Sequence, residues 1–498
     1  MNVNPITRLD YPDPDVIRVE DTYYMVSTTM HFMPGCEILQ SFDLVHWEHA
    51  TYVYETLDHT DAQQLKSGQN IYGQGMWAAS LRYHEGRFYI CFVANDTRKT
   101  YLYTSEKIDG PWKKQLIEGF YHDGSLLFDE DGRNYIVYGN DEIWITELNE
   151  DLTAPKKDGL HRLLVSDHKN PKLGYEGSHI QKINGYYYIF LIHSLRDRWM
   201  RTEACFYSDS LEGEFTGGDV LCDDRGYCGQ GVAQGGIVDT PDGKWYAMLF
   251  QDSGAVGRLP ILLPVTWKDH FPVFGQNGHV PEEIEVHSTR PGYIYQPLVG
   301  SDDFCNGLLP RWQFNHDPDP RYYHLDALQG TYTITTREVC TELTQAVNTL
   351  TQRMSYPSCA AEVTVDASAL KEGDVAGLCA FQGCYAAVGI TKHHGKYEVL
   401  MLDKKEDGIL DMTEGTVVES HQMDFRLEAD FCNMKDEARC YYRVNKGDWL
   451  PIGTVHKLYF KLDHFTGCRF GLFCYAAEKT GGSACFRDFK YYDVDEIS

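Results

Sequence analysis

One short phrase recurs five times in the first half of this chain: a turn, then a Tyr, then an apolar run. The copies are EDTYYMVST, HEGRFYICFV, DEDGRNYIVYG, INGYYYIFLIH and TPDGKWYAMLF, with their tyrosines at Tyr24, Tyr89, Tyr135, Tyr188 and Tyr246. Allowing for insertions, the spacing is roughly the 40–50 residues of a four-stranded propeller blade. The repeat therefore predicts a five-bladed β-propeller, an arrangement in which only short strand edges stay unpaired.

A polar or aromatic residue stands just before each repeat, where the first strand of each blade should begin. These positions hold Asp13 with Asp15, Trp77, Asp123, Glu176 and Gln234. Because a propeller gathers its first strands around one axis, these side chains should meet in one pocket. Carboxylates that converge in a pocket push their pKa values apart, which yields a proton donor and a base at the same pH. Such a pair is what cleavage of a glycosidic bond requires.

An acidic residue beside Gly or Pro is more often a turn residue that hydrogen-bonds its own backbone. That interpretation applies to the acidic residues inside the repeats, which are Asp129, Asp131 and Asp242. The upstream carboxylates differ because they share one phase within the repeat. The residues alone do not decide between Asp13 and Asp15, since side chains two apart on an extended strand share a face.

Several motifs, taken in order over about 280 residues, resemble glycoside hydrolase family 43. They are YPDPDVIRVEDTYYMVSTT, GMWAASLRYHEGRFYI, HDGSLLFDEDGRNYIVYG, YEGSHIQKINGYYYIF and QGGIVDTPDGKWY. The resemblance implies an inverting enzyme on a five-bladed propeller. It implies that Asp13 is the general base, that Glu176 is the proton donor, and that Asp123 tunes and orients that donor.

The same resemblance implies the residues that contact the sugar. Arg258 in GRLP resembles the pocket arginine of the family, and Trp77 and Phe32 (in HFMPG) resemble its sugar-contacting aromatics. Gln234, expected to bind substrate, stands where many relatives carry a His that in some helps to hold a metal. An amide is a poorer transition-metal ligand than imidazole, so no cofactor is expected to be required. A Ca²⁺ held by oxygen ligands stays open.

Beyond the fifth repeat, from about Ser301, short β-like segments alternate with Gly, Asp and Asn turns. This pattern predicts an antiparallel β-sandwich of jelly-roll type. The stretch DDFCNGLLPRWQFNHDPDPRYY resembles the concanavalin-like C-terminal domain of many family 43 β-xylosidases and arabinofuranosidases. We therefore predict an all-β protein, with a propeller catalytic domain at 1–295 and a sandwich domain at 296–498 packed on it. A free carbohydrate-binding module is the alternative for the second domain.

Composition limits the classes of partner that the protein can bind. The formal net charge of −28 disfavours nucleic acids and anionic membranes, which require a basic face. We find no apolar run of membrane-spanning length and no N-terminal signal-like segment, so we expect a cytoplasmic protein. The 15 cysteines are scattered singly, and Cys91, Cys379 and Cys474 lie in apolar strands as small buried residues. A homo-oligomer is left open.

These observations predict an inverting exo-glycosidase that releases a terminal pentose from plant cell-wall oligosaccharides. The expected activities are β-D-xylosidase, α-L-arabinofuranosidase or both, and the expected partner is a xylo- or arabino-oligosaccharide. An endo-arabinanase with an open groove is the alternative enzyme, and a non-catalytic carbohydrate-binding protein is the alternative from another class. A retaining β-fructosidase is disfavoured because the NDPNG-type motif is absent.

Overall fold

The computed structural model describes residues 3–461 and 465–493. Its regular structure consists of strands, apart from short 3-10 turns at Lys66–Gly68, Gly254–Val256, Leu343–Gln345 and Cys432–Met434. The all-β fold that the sequence predicts is therefore confirmed. No helix among the described residues is long and apolar enough to cross a membrane.

The first half of the chain forms five antiparallel sheets, the blades of the expected five-bladed propeller. Blade 1 contains Asp15–Val19, Thr22–Val26, Gly35–Ser41 and Glu48–Tyr54, and blade 2 contains Met76–His84, Arg87–Ala94, Lys99–Ser105 and Lys113–Ile117. Blade 3 contains Ser125–Phe128, Asn134–Asn140, Glu142–Leu148 and His161–Ser166, and blade 4 contains Glu176–Ile183, Tyr186–Ser194, Arg201–Ser208 and Thr216–Leu221. Blade 5 contains Val232–Ala233, Ile237–Asp239, Trp245–Asp252, Arg258–Lys268 and Phe271–Phe274.

The repeat that predicts the blades falls at one place in each of them. In blades 1 to 4 its Tyr lies on the second strand, and in blade 5 Tyr246 lies on the strand that follows a first strand broken in two around Gly235. A Cβ at Gly235 would collide with the Met248 carbonyl, so the backbones approach too closely there for any other residue. The ring is closed by the N-terminal segment, whose Ile6 N–H donates to the Pro260 carbonyl (3.1 Å).

One arginine lies at the propeller axis and contacts three other blades. Arg82 of blade 2 donates from Nη1 to Asp15 Oδ2 (2.8 Å), from Nη2 to Ser125 Oγ (2.7 Å) and from Nε to the Leu126 carbonyl (2.8 Å). The other oxygen of Asp15 lies 3.0 Å from Nδ1 of His179 in blade 4. Four blades therefore meet in one buried ionic cluster, which fixes the inner strands relative to one another.

The second half of the chain forms the two sheets of a concanavalin-like sandwich. One sheet contains Gln313–Asn315, Leu350–Arg353, Arg469–Ala476, Asp374–Phe381, Ala386–His393, Lys396–Lys404, Leu410–Met412 and Thr416–Val418. The other contains Tyr323–Asp326, Thr331–Thr335, Ser483–Asp493, Ser358–Asp366, Gln422–Asp430, Glu437–Val444 and Leu450–Lys457. The sheets bury one apolar core between them, as the alternating pattern predicts.

Two propeller segments enter the sandwich. The strand Phe32–Met33 adds to the edge of the first sandwich sheet by pairing with Gln313–Asn315. The turn Gly254–Val256, between two strands of blade 5, places Ala255 and Val256 in the sandwich core. The boundary predicted near residue 295 falls between the last propeller strand, Phe271–Phe274, and the first sandwich strand, and it stays a prediction.

All 15 cysteines are free thiols in the structure. Cys91, Cys379 and Cys474 are buried in the apolar interior, as expected from their positions in apolar strands. Their role is that of small core residues.

Candidate active site

A cavity of about 260 Å³ opens where the first strands of the blades begin. Six of the seven predicted site residues line it: Asp13, Trp77, Asp123, Glu176, Gln234 and Arg258. The seventh, Phe32, does not. The fold therefore brings predicted site residues separated by up to 245 positions in sequence into one pocket.

Backbone conformation explains how the side chains reach this cavity. Asp13, Asp123 and Gln234 have left-handed φ angles of 52°, 48° and 60°, which L-residues adopt rarely. Each lies beside the first strand of its blade. In blade 4 the residue with the left-handed backbone is Gly177 (φ 65°), which follows Glu176 at a β-bulge. A Cβ at Gly177 would lie 2.7 Å from Gln234 Cγ, so a larger residue there would press into the pocket wall.

Asp13 is held by donors on both carboxylate oxygens. Arg258 Nη1 donates to Oδ1 (2.7 Å) and Thr28 Oγ1 donates to Oδ2 (2.6 Å). Asp15, by contrast, is 1 % exposed and belongs to the axial cluster with Arg82. Of the two carboxylates that the sequence leaves open, only Asp13 lines the cavity.

Asp123 and Glu176 lie on either side of one imidazole. His122 Nε2 is 3.5 Å from Asp123 Oδ2 and 3.4 Å from Glu176 Oε2. The Gly177 N–H donates to Asp123 (2.9 Å), and Asn140 Nδ2 donates to Glu176 Oε2 (2.8 Å). The three groups titrate as one unit, because each contact changes the charge balance of the other two.

The proton of this unit lies elsewhere than the sequence suggests. Burial raises the pKa of Asp123 to about 6, with the charges of Glu176 and Asp13 adding to it. The pKa of Glu176 is lowered, because the hydrogen bond and charge of His122 and the charges of two arginines outweigh the effect of burial. The pKa of His122 rises to about 9 because the charge of Asp123 and the contact with Glu176 outweigh burial. His122 therefore carries the proton and a positive charge beside Glu176. The sequence motifs do not indicate this charge.

Arg258 connects the pocket to a second buried ion pair. Asp252 accepts from Arg258 Nε (3.2 Å) and from Arg201 Nε (2.8 Å). The two arginine charges lower the pKa of Asp252 although its burial acts in the opposite direction. Arg258 thus contacts Asp13 through Nη1 while Asp252 holds its Nε. This geometry suits the orienting of a carboxylate and of substrate hydroxyls.

Aromatic rings form one wall of the cavity. Trp77 meets Phe465 edge to face, with centroids 5.3 Å apart, and Arg258 Cζ lies 4.5 Å from the Phe465 centroid. The Trp77 indole N–H is buried and has no hydrogen-bond partner among the described residues. Phe465 comes from the sandwich, so both domains build the cavity.

The predicted sugar contact of Phe32 is wrong. Phe32 is 1 % exposed and packs with Leu343, Ala346 and Phe381 of the sandwich, with the Arg469 guanidinium 3.5 Å from its centroid. Its strand leaves the propeller to extend a sandwich sheet, which turns the ring away from the pocket. Phe32 is a packing residue of the domain junction.

Sequence reasoning missed other lining residues: Asn140, Leu173, Trp199, Arg201 and Phe465. Asn140 offered a signal, since it ends an apolar strand with an amide in the repeat. Trp199 and Phe465 lie outside the repeats, and no periodic pattern identifies them.

One group of described residues has the composition of a metal site: His122, Asp123 and Glu176, with ligand atoms within 4.8 Å of one another. The imidazole, with a pKa of about 9, would have to lose its proton to bind a metal there. At the propeller axis the Arg82 guanidinium already pairs with Asp15.

A propeller with convergent carboxylates in a cavity walled by a concanavalin-like sandwich defines an enzyme that hydrolyses glycosidic bonds. The sequence profile of glycosyl hydrolases family 43 matches residues 3–272, and that of the beta xylosidase C-terminal concanavalin A-like domain matches residues 301–492. The chain belongs to glycoside hydrolase family 43.

Three relatives show the extent of the likeness. A bifunctional GH43-CE protein of Bacteroides eggerthii superposes with a TM-score of 0.92 and 42 % identity over 99 % of this chain, which spans 64 % of that protein. A GH43 enzyme engineered to display both endo-xylanase and exo-arabinofuranosidase activity has a TM-score of 0.86 and 27 % identity, covering 99 % of both chains. A beta-xylosidase of Formosa agariphila is 26 % identical over 99 % of this chain and 89 % of its own length.

Proposed function

We propose that this glycoside hydrolase is an inverting exo-enzyme that releases a terminal pentose from plant cell-wall oligosaccharides. The observation that carries the proposal is the contact of the sandwich residue Phe465 with Trp77 and Arg258 at the cavity that holds the three carboxylates. A small cavity walled in this way suits the end of a chain better than its middle. An endo-arabinanase would need an open groove.

Asp13 is the proposed base. Inversion requires a water between the base and the anomeric carbon, so base and acid should stand about 6.5–9.5 Å apart. Asp13 accepts the proton of that water, while Arg258 on its other side keeps it oriented. The rest of the oligosaccharide leaves from the opposite face of the sugar ring.

Glu176 is the proposed acid, and Asp123 and His122 are its partners. Because the pKa of Glu176 is lowered, Glu176 first takes a proton from His122, whose Nε2 lies 3.4 Å from its carboxylate, and then delivers that proton to the glycosidic oxygen. Asp123 influences Glu176 through the shared imidazole and through the Gly177 N–H, which it holds beside the acid. The roles agree with those that the family resemblance implies.

We propose β-D-xylose and α-L-arabinofuranose as the released sugars, because the named relatives include enzymes of both kinds. One pocket can serve both when the hydroxyls around the anomeric carbon are presented alike. The proposal includes a cytoplasmic location, in which imported short oligosaccharides are the substrates. Cell fractionation tests the location independently of the activity.

The test is hydrolysis of aryl β-D-xylopyranoside and aryl α-L-arabinofuranoside by the wild type and by Asp13→Asn. Asp242→Asn is the matched control, since Asp242 lies in an exposed turn of blade 5. Turnover that disappears in Asp13→Asn and persists in Asp242→Asn supports the proposal. Turnover of neither aryl glycoside, together with cleavage of polymeric arabinan or xylan, overturns exo action in favour of endo action.

A further inference from the structure

Asp10 is a buried carboxylate that lies outside the cavity, three residues before Asp13. It is 2 % exposed, and both of its oxygens accept backbone N–H groups. Oδ1 accepts from Arg258 (2.7 Å) and Oδ2 accepts from Gly467 (2.8 Å). One side chain therefore joins the backbone of the pocket arginine to a sandwich segment that begins at Phe465.

The segments around the Asp10 carboxylate are closely packed. A Cβ at Gly257 would collide with Asp10 Oδ1, and a Cβ at Gly467 would collide with the Val256 carbonyl. The Cys468 N–H also donates to the Ala255 carbonyl (2.8 Å), which pairs the two segments directly. Neither segment can shift without breaking a contact of the other.

The charges around Asp10 favour a structural carboxylate. Arg353 Nε donates to the Asp10 carbonyl (2.8 Å), and the charges of Arg353 and Arg469 act on the Asp10 side chain. Burial raises the pKa of Asp10, while the two backbone N–H donors and the arginines oppose that rise. A buried charge is tolerated when hydrogen bonds and counter-charges satisfy it.

We propose that Asp10 is a positioning residue that sets Arg258 and Phe465 relative to each other, and so fixes two walls of the substrate pocket. This inference rests on the proposed function for its kinetic consequence. Arg258 contacts Asp13 at 2.7 Å and Phe465 at 4.5 Å from the ring centroid, so loosening Asp10 misplaces the partner of the base and the aromatic wall together.

The test variant is Asp10→Asn, which keeps the size of the side chain but points an amide N–H at one of the two donors. The matched control is Asp302→Asn in the sandwich. Asp302 is also buried and also accepts two N–H groups, from Phe304 N (2.7 Å) and from Trp312 Nε1 (2.8 Å), but it does not line the cavity. Both variants should lose thermal stability.

The first readout is kcat/KM on the aryl pentosides. We expect a loss of about tenfold or more in Asp10→Asn, since small misplacements in an active site are costly. Asp302→Asn should stay within about twofold of wild type, because a change away from the site alters stability without altering the pocket. Combining Asp10→Asn with Phe465→Ala should give less than the product of the single losses, since both act on one wall. Equal losses in Asp10→Asn and Asp302→Asn, or strictly multiplicative losses, overturn the proposal.

The second readout does not depend on activity. In hydrogen–deuterium exchange, Asp10→Asn should accelerate exchange at the Arg258 and Gly467 amides together, and Asp302→Asn should accelerate neither. Unchanged exchange at both amides contradicts the positioning role. If the wild type hydrolyses no pentoside, the proposed function fails while this exchange result still decides the role of Asp10.

Discussion

Asp13 and Asp15 lie two positions apart, but the structure assigns them to different parts of the molecule. Alternation along a strand would place both side chains on one face. Asp13 instead has a left-handed backbone (φ 52°), which breaks the alternation, and the strand begins only at Asp15. In this conformation Asp13 contacts Thr28 and Arg258, partners that no local sequence pattern identifies.

Replacing each carboxylate with its amide should separate the two roles. Asp13→Asn should remain folded and lose activity, since it removes the proposed base. Asp15→Asn should destabilise the protein by about 3–5 kcal/mol, because it leaves the buried Arg82 without its counter-charge. Chemical denaturation and kcat/KM measured on both variants check the prediction. A stable but inactive Asp15→Asn would contradict it.

The pH dependence of the Asp15 contribution has a definite sign. The pKa of Asp15 is lowered because the charges of Arg82 and His179 outweigh its burial. Its stabilising contribution should therefore be complete above the unfolded value of about 3.9 and be lost as the pH falls through the lower folded value. The stability gap between wild type and Asp15→Asn should narrow in acid.

His122→Gln should shift the pH profile of the enzyme. The hydrogen bond and charge of His122 lower the pKa of Glu176 against the effect of burial, and glutamine keeps a donor but carries no charge. The pKa of Glu176 should rise, so that Glu176 holds its own proton, and the alkaline limb of kcat/KM should move to lower pH, because it no longer reports loss of the proton from His122, whose pKa is about 9. Profiles of both enzymes on one aryl pentoside measure the shift. An unmoved limb would show that His122 does not tune Glu176.

Shared phase in the repeat predicts the placement of most of the site. Asp13, Asp123 and Glu176 line the cavity because a propeller superposes equivalent positions of its blades. The protonation pattern could not be predicted in the same way. It depends on His122 lying within 3.5 Å of two carboxylates, a distance set by tertiary packing.

At the scale of elements, the long strands follow from the sequence and the short ones do not. The second strands of the blades carry a Tyr and an apolar run that can be recognised without a structure. The strand Phe32–Met33 has two residues, too few for any periodicity, and its partner Gln313–Asn315 lies about 280 positions further along. The motif around Phe32 therefore suggested a pocket residue where the structure has a junction.

Phe32→Ala should mainly reduce stability, whereas Trp77→Ala should mainly reduce activity. Phe32→Ala should cost about 3–5 kcal/mol of stability, because it leaves a cavity among buried residues of the junction. It should leave KM near the wild-type value. Trp77→Ala should raise KM or lower kcat with a smaller loss of stability, since Trp77 is half-buried at the cavity. Thermal melts measure the stability of both variants, and steady-state kinetics measure their KM and kcat. A KM effect confined to Phe32→Ala would support the predicted sugar contact of Phe32 and contradict this account.

At the scale of the whole molecule, propeller and sandwich share structure. Ala255 and Val256 of blade 5 lie in the sandwich core, and the propeller strand Phe32–Met33 extends a sandwich sheet. A buried ion pair between Arg353 of the sandwich and Glu37 of blade 1 (2.8 Å) adds a polar link. A linked pair of independent modules would show none of these contacts.

The two domains should therefore unfold together. Calorimetry of the full chain should show one thermal transition, and intrinsic fluorescence and far-UV circular dichroism should give coincident curves. Glu37→Gln should lower the temperature of that single transition, because it leaves Arg353 without its buried partner. Two separated transitions would indicate domains that are stable alone and would weaken the account of a shared pocket.

The central claim is inversion by Asp13 and Glu176 in a pocket for a terminal pentose. The most direct measurement is proton NMR of the first sugar released from an aryl β-D-xylopyranoside, recorded before mutarotation. The account predicts that α-xylose forms first, because water activated by Asp13 attacks opposite the leaving group. Initial release of β-xylose would mean retention through a covalent intermediate and would contradict the assigned roles.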